Sequence, residues 1–353
     1  MSGRTLLRQA VRSKSPDRLA IVDFLLQQGA DCTAECWEPF KILQSIFYSD
    51  DESSETRSKE NLVLFHRLLD QGVSAKSWKY ESITEHLAGQ RRLFGLREIS
   101  QPPVLMSLIN ACAERSIISR TIMAGADPNE GGESDPPPLV SAASMGRLDL
   151  VEELLSAHSA SVDARHDIWR PLRRVNSFED SLSKSSADLR LAYPRFCTPL
   201  QAACNPKKGS ISLKIVEYLI KRGASVNAPA GDEYTNRYTA LQWAVFHGSL
   251  TVACYLLDHG ADVNAPSAEE VMTSDFFLLR ALDIAAFGGR MDMVQLLIDA
   301  KGRSGYPGIS GIDGAAELAT IAHHFGVLQL LEETAQKLGV LPPDYHFNIW
   351  DQF

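Results

Sequence analysis

No run of apolar residues in this chain approaches the roughly 20 that a membrane-crossing helix needs, so no membrane partner is expected. Positive charge is also short: 35 lysines and arginines against 44 acidic residues leave a net charge of −9. A general nucleic-acid binder needs a broad basic face to neutralise phosphates, so nucleic acid is not an expected partner. Cysteine is sparse. The six (Cys32, Cys36, Cys112, Cys197, Cys204 and Cys254) form no Cys-x-x-Cys pair, which leaves neither a zinc ribbon nor a redox dithiol. Cys32 and Cys36 stand four apart with no second ligand pair after them, so no metal site is expected. Free thiols and the lack of a signal-peptide stretch in residues 1–18 together point to a reduced compartment, cytoplasmic or nuclear. The usual catalytic signatures are missing too. Residues 302–314 are glycine-rich but lack the lysine and serine of a phosphate loop, and no G-x-S-x-G, H-E-x-x-H or calcium-loop pattern occurs. No cofactor is expected.

What the chain does have is self-similarity, which decides the fold before any local reading. One unit runs Thr239-Ala-Leu-Gln-Trp-Ala-Val-Phe-His-Gly248 and continues through Tyr255-Leu-Leu-Asp-His-Gly260 to Ala-Asp-Val-Asn-Ala265. A second runs Thr198-Pro-Leu-Gln-Ala-Ala-Cys204, then Leu213 to Gly223-Ala-Ser-Val-Asn-Ala228. A third begins Ala281-Leu-Asp-Ile-Ala-Ala-Phe-Gly-Gly289, and a fourth Pro138-Leu-Val-Ser-Ala-Ala-Ser-Met-Gly146. Thr198 can cap a helix, and Pro199 suits its first turn, where a missing N–H costs nothing. Gly223 and Gly260 fall where a left-handed residue ends a second helix cheaply. Helices of two or three turns are marginal alone in water; they hold when neighbouring units bury their apolar faces.

These units resemble the ankyrin repeat, with its T-P-L-H-x-A-A opening and G-A-D-V-N close, and glutamine at the histidine position resembles filamentous-fungal ankyrin-repeat proteins. The resemblance implies an all-α solenoid of about eight helix-turn-helix repeats with long, irregular inter-repeat loops, forming one domain over residues 1–353. Degenerate repeats fill 1–130. Clearer repeats fill 137–302, with insertions at 162–197 and 265–280. A capping repeat and tail fill 315–353, and Gly326 is read as the inter-helix glycine of that cap.

The departures from the pattern carry more functional information than the matches. Residues 48–61 are polar and acidic, as in a mobile surface loop, and 77–101 contain the makings of an extra helix. The insertion 162–197 sets Trp169, Tyr193 and Phe196 among six arginines, including Arg170. Phe276-Phe-Leu-Leu279 is too apolar for a free loop, and the same holds for the aromatic tail 341–353, which is expected to fold back over the last repeat or along the groove.

The family resemblance implies that the two residues before each inter-helix glycine face the concave groove. Carried onto this chain, that gives Ser144 and Met145, Phe246 and His247, Phe287 and Gly288, and His324 and Phe325; Trp243 and, from the insertion, Trp169 and Arg170 join them as candidate binding residues. Aromatic anchors commonly dominate binding surfaces. Two readings follow. In the first, the groove and finger loops bind a protein partner. In the second, the long loops close an aromatic and histidine pocket over an apolar small molecule, for a cofactor-independent cyclase, isomerase or dehydratase. His247, Asp283 and His324 would then be the candidate acids and bases. Asp283 occupies the family's histidine position, which normally braces the loop, as do Gln201 and Gln242.

Overall fold

The computed structural model describes residues 6–13, 15–30, 42–43, 46, 55–73, 75, 104–110, 113–131, 136–164, 197–207, 209–230, 238–267, 279–304 and 311–339. Every regular element among them is a helix: α1 (Leu6–Arg12), α2 (Arg18–Gln27), α3 (Glu55–Asp70), α4 (Val104–Asn110), α5 (Arg115–Met123), α6 (Pro138–Ser144), α7 (Leu148–Ser156), α8 (Pro199–Cys204), α9 (Leu213–Lys221), α10 (Ala240–Phe246), α11 (Leu250–Asp258), α12 (Ala281–Phe287), α13 (Met291–Asp299), α14 (Asp313–Ile321) and α15 (Phe325–Lys337). None is long and apolar enough to cross a membrane among the described residues. Two compact units divide the chain: Met1–Ser141 with Glu152–Ala160, and Ala142–Val151 with Ser161–Phe353.

In the first unit α1 packs on α2 and α4 on α5. Helix α4 buries Val104, Leu105, Met106, Leu108 and Ile109. Arg18 is buried, and its guanidinium donates to the Val11 carbonyl (2.7 Å) and the Asn61 Oδ1 (2.7 Å).

The second unit is a two-layer stack. The first helices α8, α10, α12 and α14 contact one another in order, and so do the second helices α9, α11, α13 and α15. Small residues make the inner layer possible: Ala202, Ala203, Ala244, Ala285, Ala286, Ala315, Ala316 and Ala319 are all buried. The tight turn inside each of the last three pairs needs a left-handed residue, supplied by Gly248 (φ 71°) and Gly289 (φ 68°) and, in the last pair, by His323 (φ 59°). Gly326, expected to make that last turn, instead lies inside α15. Its lack of a side chain has another use. A Cβ there would stand 3.2 Å from the Met291 sulfur, so it admits close packing of one repeat on the next.

A hydrogen-bonded brace starts the first helices. The Thr198 hydroxyl accepts from the Gln201 N–H (3.3 Å) while the Gln201 side-chain oxygen accepts from the Thr198 N–H (2.9 Å). The same amide then donates to the carbonyls of Ala228 (3.1 Å) and Pro229 (2.9 Å), tying the helix start to the connection that follows its repeat. Gln242 repeats this with Thr239 and with the carbonyls of Ala265 (2.8 Å) and Leu279 (3.3 Å). Asp283 can accept but not donate, so the third brace reverses direction. Its carboxylate accepts from the Arg280 N–H (2.8 Å) and from the Ser304 hydroxyl, while the Arg280 guanidinium donates to the Ser304 carbonyl (3.1 Å).

A second ladder joins the hairpin tips. Asp163 accepts from the Ser225 N–H (2.9 Å), Asn227 from the Asp262 N–H (2.7 Å) and Asn264 from the Arg303 N–H (2.8 Å). These three acceptors hold one register position in their repeats, and the first of them joins the hairpin tips on either side of residues 165–196.

The brace has a measurable cost of removal. Gln242→Ala strands the Thr239 N–H and two carbonyls, and should lower unfolding free energy by about 2–4 kcal/mol in urea titration. Gln242→His, with one ring nitrogen accepting and the other donating, should recover most of it; equal losses in both variants would contradict the brace.

Candidate functional site

The C-terminal ends of the first helices and the turns after them gather the candidate side chains of the second unit. Around α10 they form one aromatic cluster. Trp243 meets Tyr238 edge-on at 5.0 Å between ring centroids and Phe246 at 5.6 Å, and stacks on His247 at 5.9 Å. Phe246 and His247 meet edge-on at 5.3 Å. Tyr238 is nearly buried and Trp243 half-buried, whereas Phe246 and His247 reach the surface.

Links between turns hold this cluster in place. His247 Nε2 lies 3.0 Å from the Asn205 Oδ1 of the preceding repeat. Arg290, from the following repeat, donates to the Phe246 carbonyl (2.8 Å) and lies so close over Gly248 that a Cβ there would come within 1.8 Å of its guanidinium. One repeat further on, the His324 ring covers Gly289 in the same way, 2.6 Å from where a Cβ would sit. The turn glycines are therefore needed twice, for a positive φ and for a cation or ring laid across them.

Five apolar side chains stand exposed along this edge: Phe246 (48%), Phe287 (57%), Met291 (51%), Ile321 (52%) and Phe325 (54%). They fall in two register columns. Phe246, Phe287 and Ile321 close the first helices, and Met291 and Phe325 open the second helices. No ring contact joins Phe246, Phe287 and Phe325 to one another among the described residues, so they do not form a stacked aromatic ladder.

Several expected site residues sit differently. With His323 making the last turn, His324 and Phe325 begin α15, and Ile321 and Ala322 take the groove position assigned to them from the sequence. The shift arises because Gly326 looked like a turn glycine, whereas a histidine adopts the left-handed conformation. Ser144 is buried and offers its carbonyl to the Lys207 N–H (2.9 Å); Met145 is half-buried, and Gly288 is exposed. Trp169, Arg170, most of the two insertions and the tail 341–353 lie outside the described residues. Arg290, Met291 and Ile321 were missed; the register of Ser249, Leu250 and Phe246 is the signal that would have found them.

The chemistry of the titratable groups is restrained. Asp283 is fully buried, with one oxygen on the Arg280 N–H and the other on the Ser304 hydroxyl, which makes it a brace. Burial and then the charge of Arg290 hold His247 below its ordinary titration range. Burial pushes the Cys197 and Cys204 thiols up to about 12, so neither is a nucleophile near neutrality. In the first unit Ser119 and His158 share Glu153: Ser119 Oγ lies 3.0 Å from its Oε1 and 3.3 Å from the His158 Nε2, which is itself 3.3 Å from that Oε1. A nucleophilic triad uses the two ring nitrogens for different partners, whereas here Nε2 faces both, so this is a structural cluster. A cleft of about 520 Å³ lies between the long turn at Pro206–Ile211 and the residues from His247 to Thr251; it takes in His247 but not the aromatic rings. No group of metal-ligating side chains occurs among the described residues.

Helix pairs stacked in two layers, with one brace for each of three successive first helices, define a helical repeat protein. Comparison with known families agrees: residues 177–267 match a model for ankyrin repeats in three copies, and residues 137–167 match a single ankyrin repeat. The chain contains ankyrin repeats. Over 118 residues it is 33% identical to alpha-latrocrustotoxin-Lt1a of Latrodectus tredecimguttatus; the match covers 33% of this chain and only 6% of that protein.

The depressed His247 sets a pH test. Because its folded pKa lies below the unfolded value of about 6.5, it contributes full stability above that value and loses it as pH falls through the folded one. An NMR titration should find the His247 ring titrating below the ordinary histidine value of about 6.5. Arg290→Gln should move it upward by removing the nearby charge, and an unchanged midpoint would show that Arg290 does not act on it.

Proposed function

We propose that the second unit is a protein-binding module whose groove edge takes an apolar segment of a partner. The observation that carries this reading is the double column of Phe246, Phe287, Ile321, Met291 and Phe325, each about half exposed on a rigidly braced stack. Burying even half of such side chains against a partner stabilises a complex by several kcal/mol in gross terms, and exposed apolar rows of this kind mark interaction sites. Ankyrin repeats generally mediate protein–protein interaction, which agrees with this reading. Arg290 and His247 supply the polar rim that sets orientation.

The test is capture of partners by the full chain at micromolar concentration, beside a variant carrying Phe246→Ser and Phe287→Ser. A protein retained by the wild type should be lost from the variant, with helical content unchanged and the unfolding free energy lowered by about 1–3 kcal/mol, because Phe246 loses its ring contacts with Tyr238, Trp243 and His247. Equal retention by both proteins, or no retained protein at all, would overturn the reading.

A further inference from the structure

The apolar edge repeats at the spacing of the stack. Adjacent helices pack about 8–10 Å apart, so Phe246, Phe287 and Ile321 present three contacts in line, about one per 9 Å. Three residues of polyproline-II chain advance about 9 Å and return to the same face. A peptide matching this edge therefore carries a large apolar side chain at every third position.

The chain itself contains that pattern. Phe347, Trp350 and Phe353 are spaced by three and follow the pair Pro342-Pro343. They lie outside the described residues, beyond Gly339 at the end of α15. Reach is sufficient: the 13 residues of α15 rise about 20 Å from the turn edge. Residues 340–346 span about 23 Å when extended, enough to run back along the helix. Direction agrees as well. Such a path meets the last repeat first, which sets Phe347 against Ile321 and Phe325, Trp350 against Phe287 and Met291, and Phe353 against Phe246. Asp351 then comes level with Arg290, whose guanidinium lies between the Phe246 and Phe287 turns.

We propose that residues 341–353 dock in cis on the apolar edge formed by Phe246, Phe287, Met291, Ile321 and Phe325, and so compete with any partner for it. The proposal rests on the reading of that edge as a protein-binding surface. A segment tethered a few residues from its site acts at an effective concentration in the millimolar range, so modest affinity suffices to keep the edge covered until a stronger ligand displaces it.

The test uses a fluorescein-labelled peptide with the sequence of residues 341–353, titrated by anisotropy into two forms of the full chain. One is wild type; the other carries Phe347→Ser, Trp350→Ser and Phe353→Ser. Circular dichroism should show the same helical content in both. The peptide should bind the triple variant at least about tenfold more tightly than the wild type, whose own segment competes. Adding Phe287→Glu or Ile321→Glu to the triple variant should abolish binding. Equal binding to wild type and triple variant, no binding to the triple variant, or binding indifferent to Phe287→Glu would each overturn the proposal. A wild type that dimerises in sedimentation while the triple variant stays monomeric would place the segment on a second copy and overturn docking in cis. Should the peptide result fail while Phe246→Ser with Phe287→Ser still releases a captured partner, only the tail proposal falls. Should neither matter, the binding reading falls with it.

Discussion

The hydrogen bond from the first N–H of a repeat to the side chain three residues on is the contact on which the second unit depends. It caps a first helix too short to persist alone, and the same side chain fastens that helix to the connection beyond its second helix. Glutamine does both jobs at Gln201 and Gln242, because an amide accepts at its oxygen and donates at its nitrogen. Asp283 has no donor. The chain keeps the link by changing the partner, with the Ser304 hydroxyl donating inward and the Arg280 guanidinium donating to the Ser304 carbonyl. One function is thus met by two hydrogen-bond polarities, at the cost of a buried carboxylate whose two oxygens both accept hydrogen bonds.

Fixing the helix starts fixes the helix ends, and the ends carry the exposed apolar edge. Phe246, Phe287 and Ile321 align because their helices begin in register and pack through alanines. The turns add their own constraint, since Arg290 over Gly248 and His324 over Gly289 tie each turn to the next. The bond from Ser225 to Asp163 spans the long insertion, and the bond from Ser267 to Leu279 closes the neck of the residues 268–278.

Much of this fold was legible from residue spacing. Threonine, then glutamine three residues on, then alanines, then a glycine specify cap, brace, close packing and turn, and each has a physical meaning that survives without the others. The edge was legible where the turn residue is glycine, as at Phe246 and Phe287. It was misread in the last repeat, where His323 adopts the left-handed conformation and Gly326 serves close packing against Met291. A glycine signals permissiveness but not its purpose, so a one-letter pattern cannot separate the two uses. Arg290 and Met291 are not legible in the local pattern because Arg290 reaches back to the preceding repeat and Met291 packs on the following one, which are properties of the stack. Ser144 was misjudged for the same reason: its burial depends on neighbours that the local pattern does not contain.

The central claim is that these braces hold the stack, and so its exposed apolar edge, as one cooperative body. Native-state hydrogen exchange tests it most directly through six amides. Those of Thr198, Thr239 and Arg280 donate to the braces, and those of Ser225, Asp262 and Arg303 donate to the hairpin ladder. All six lie outside the helices and would exchange quickly as ordinary loop amides. The account predicts that they open only with the helices they join, with protection equal to that of buried amides in α10 and α12. Exchange of the six at loop rates, while those helix amides stay protected, would contradict it.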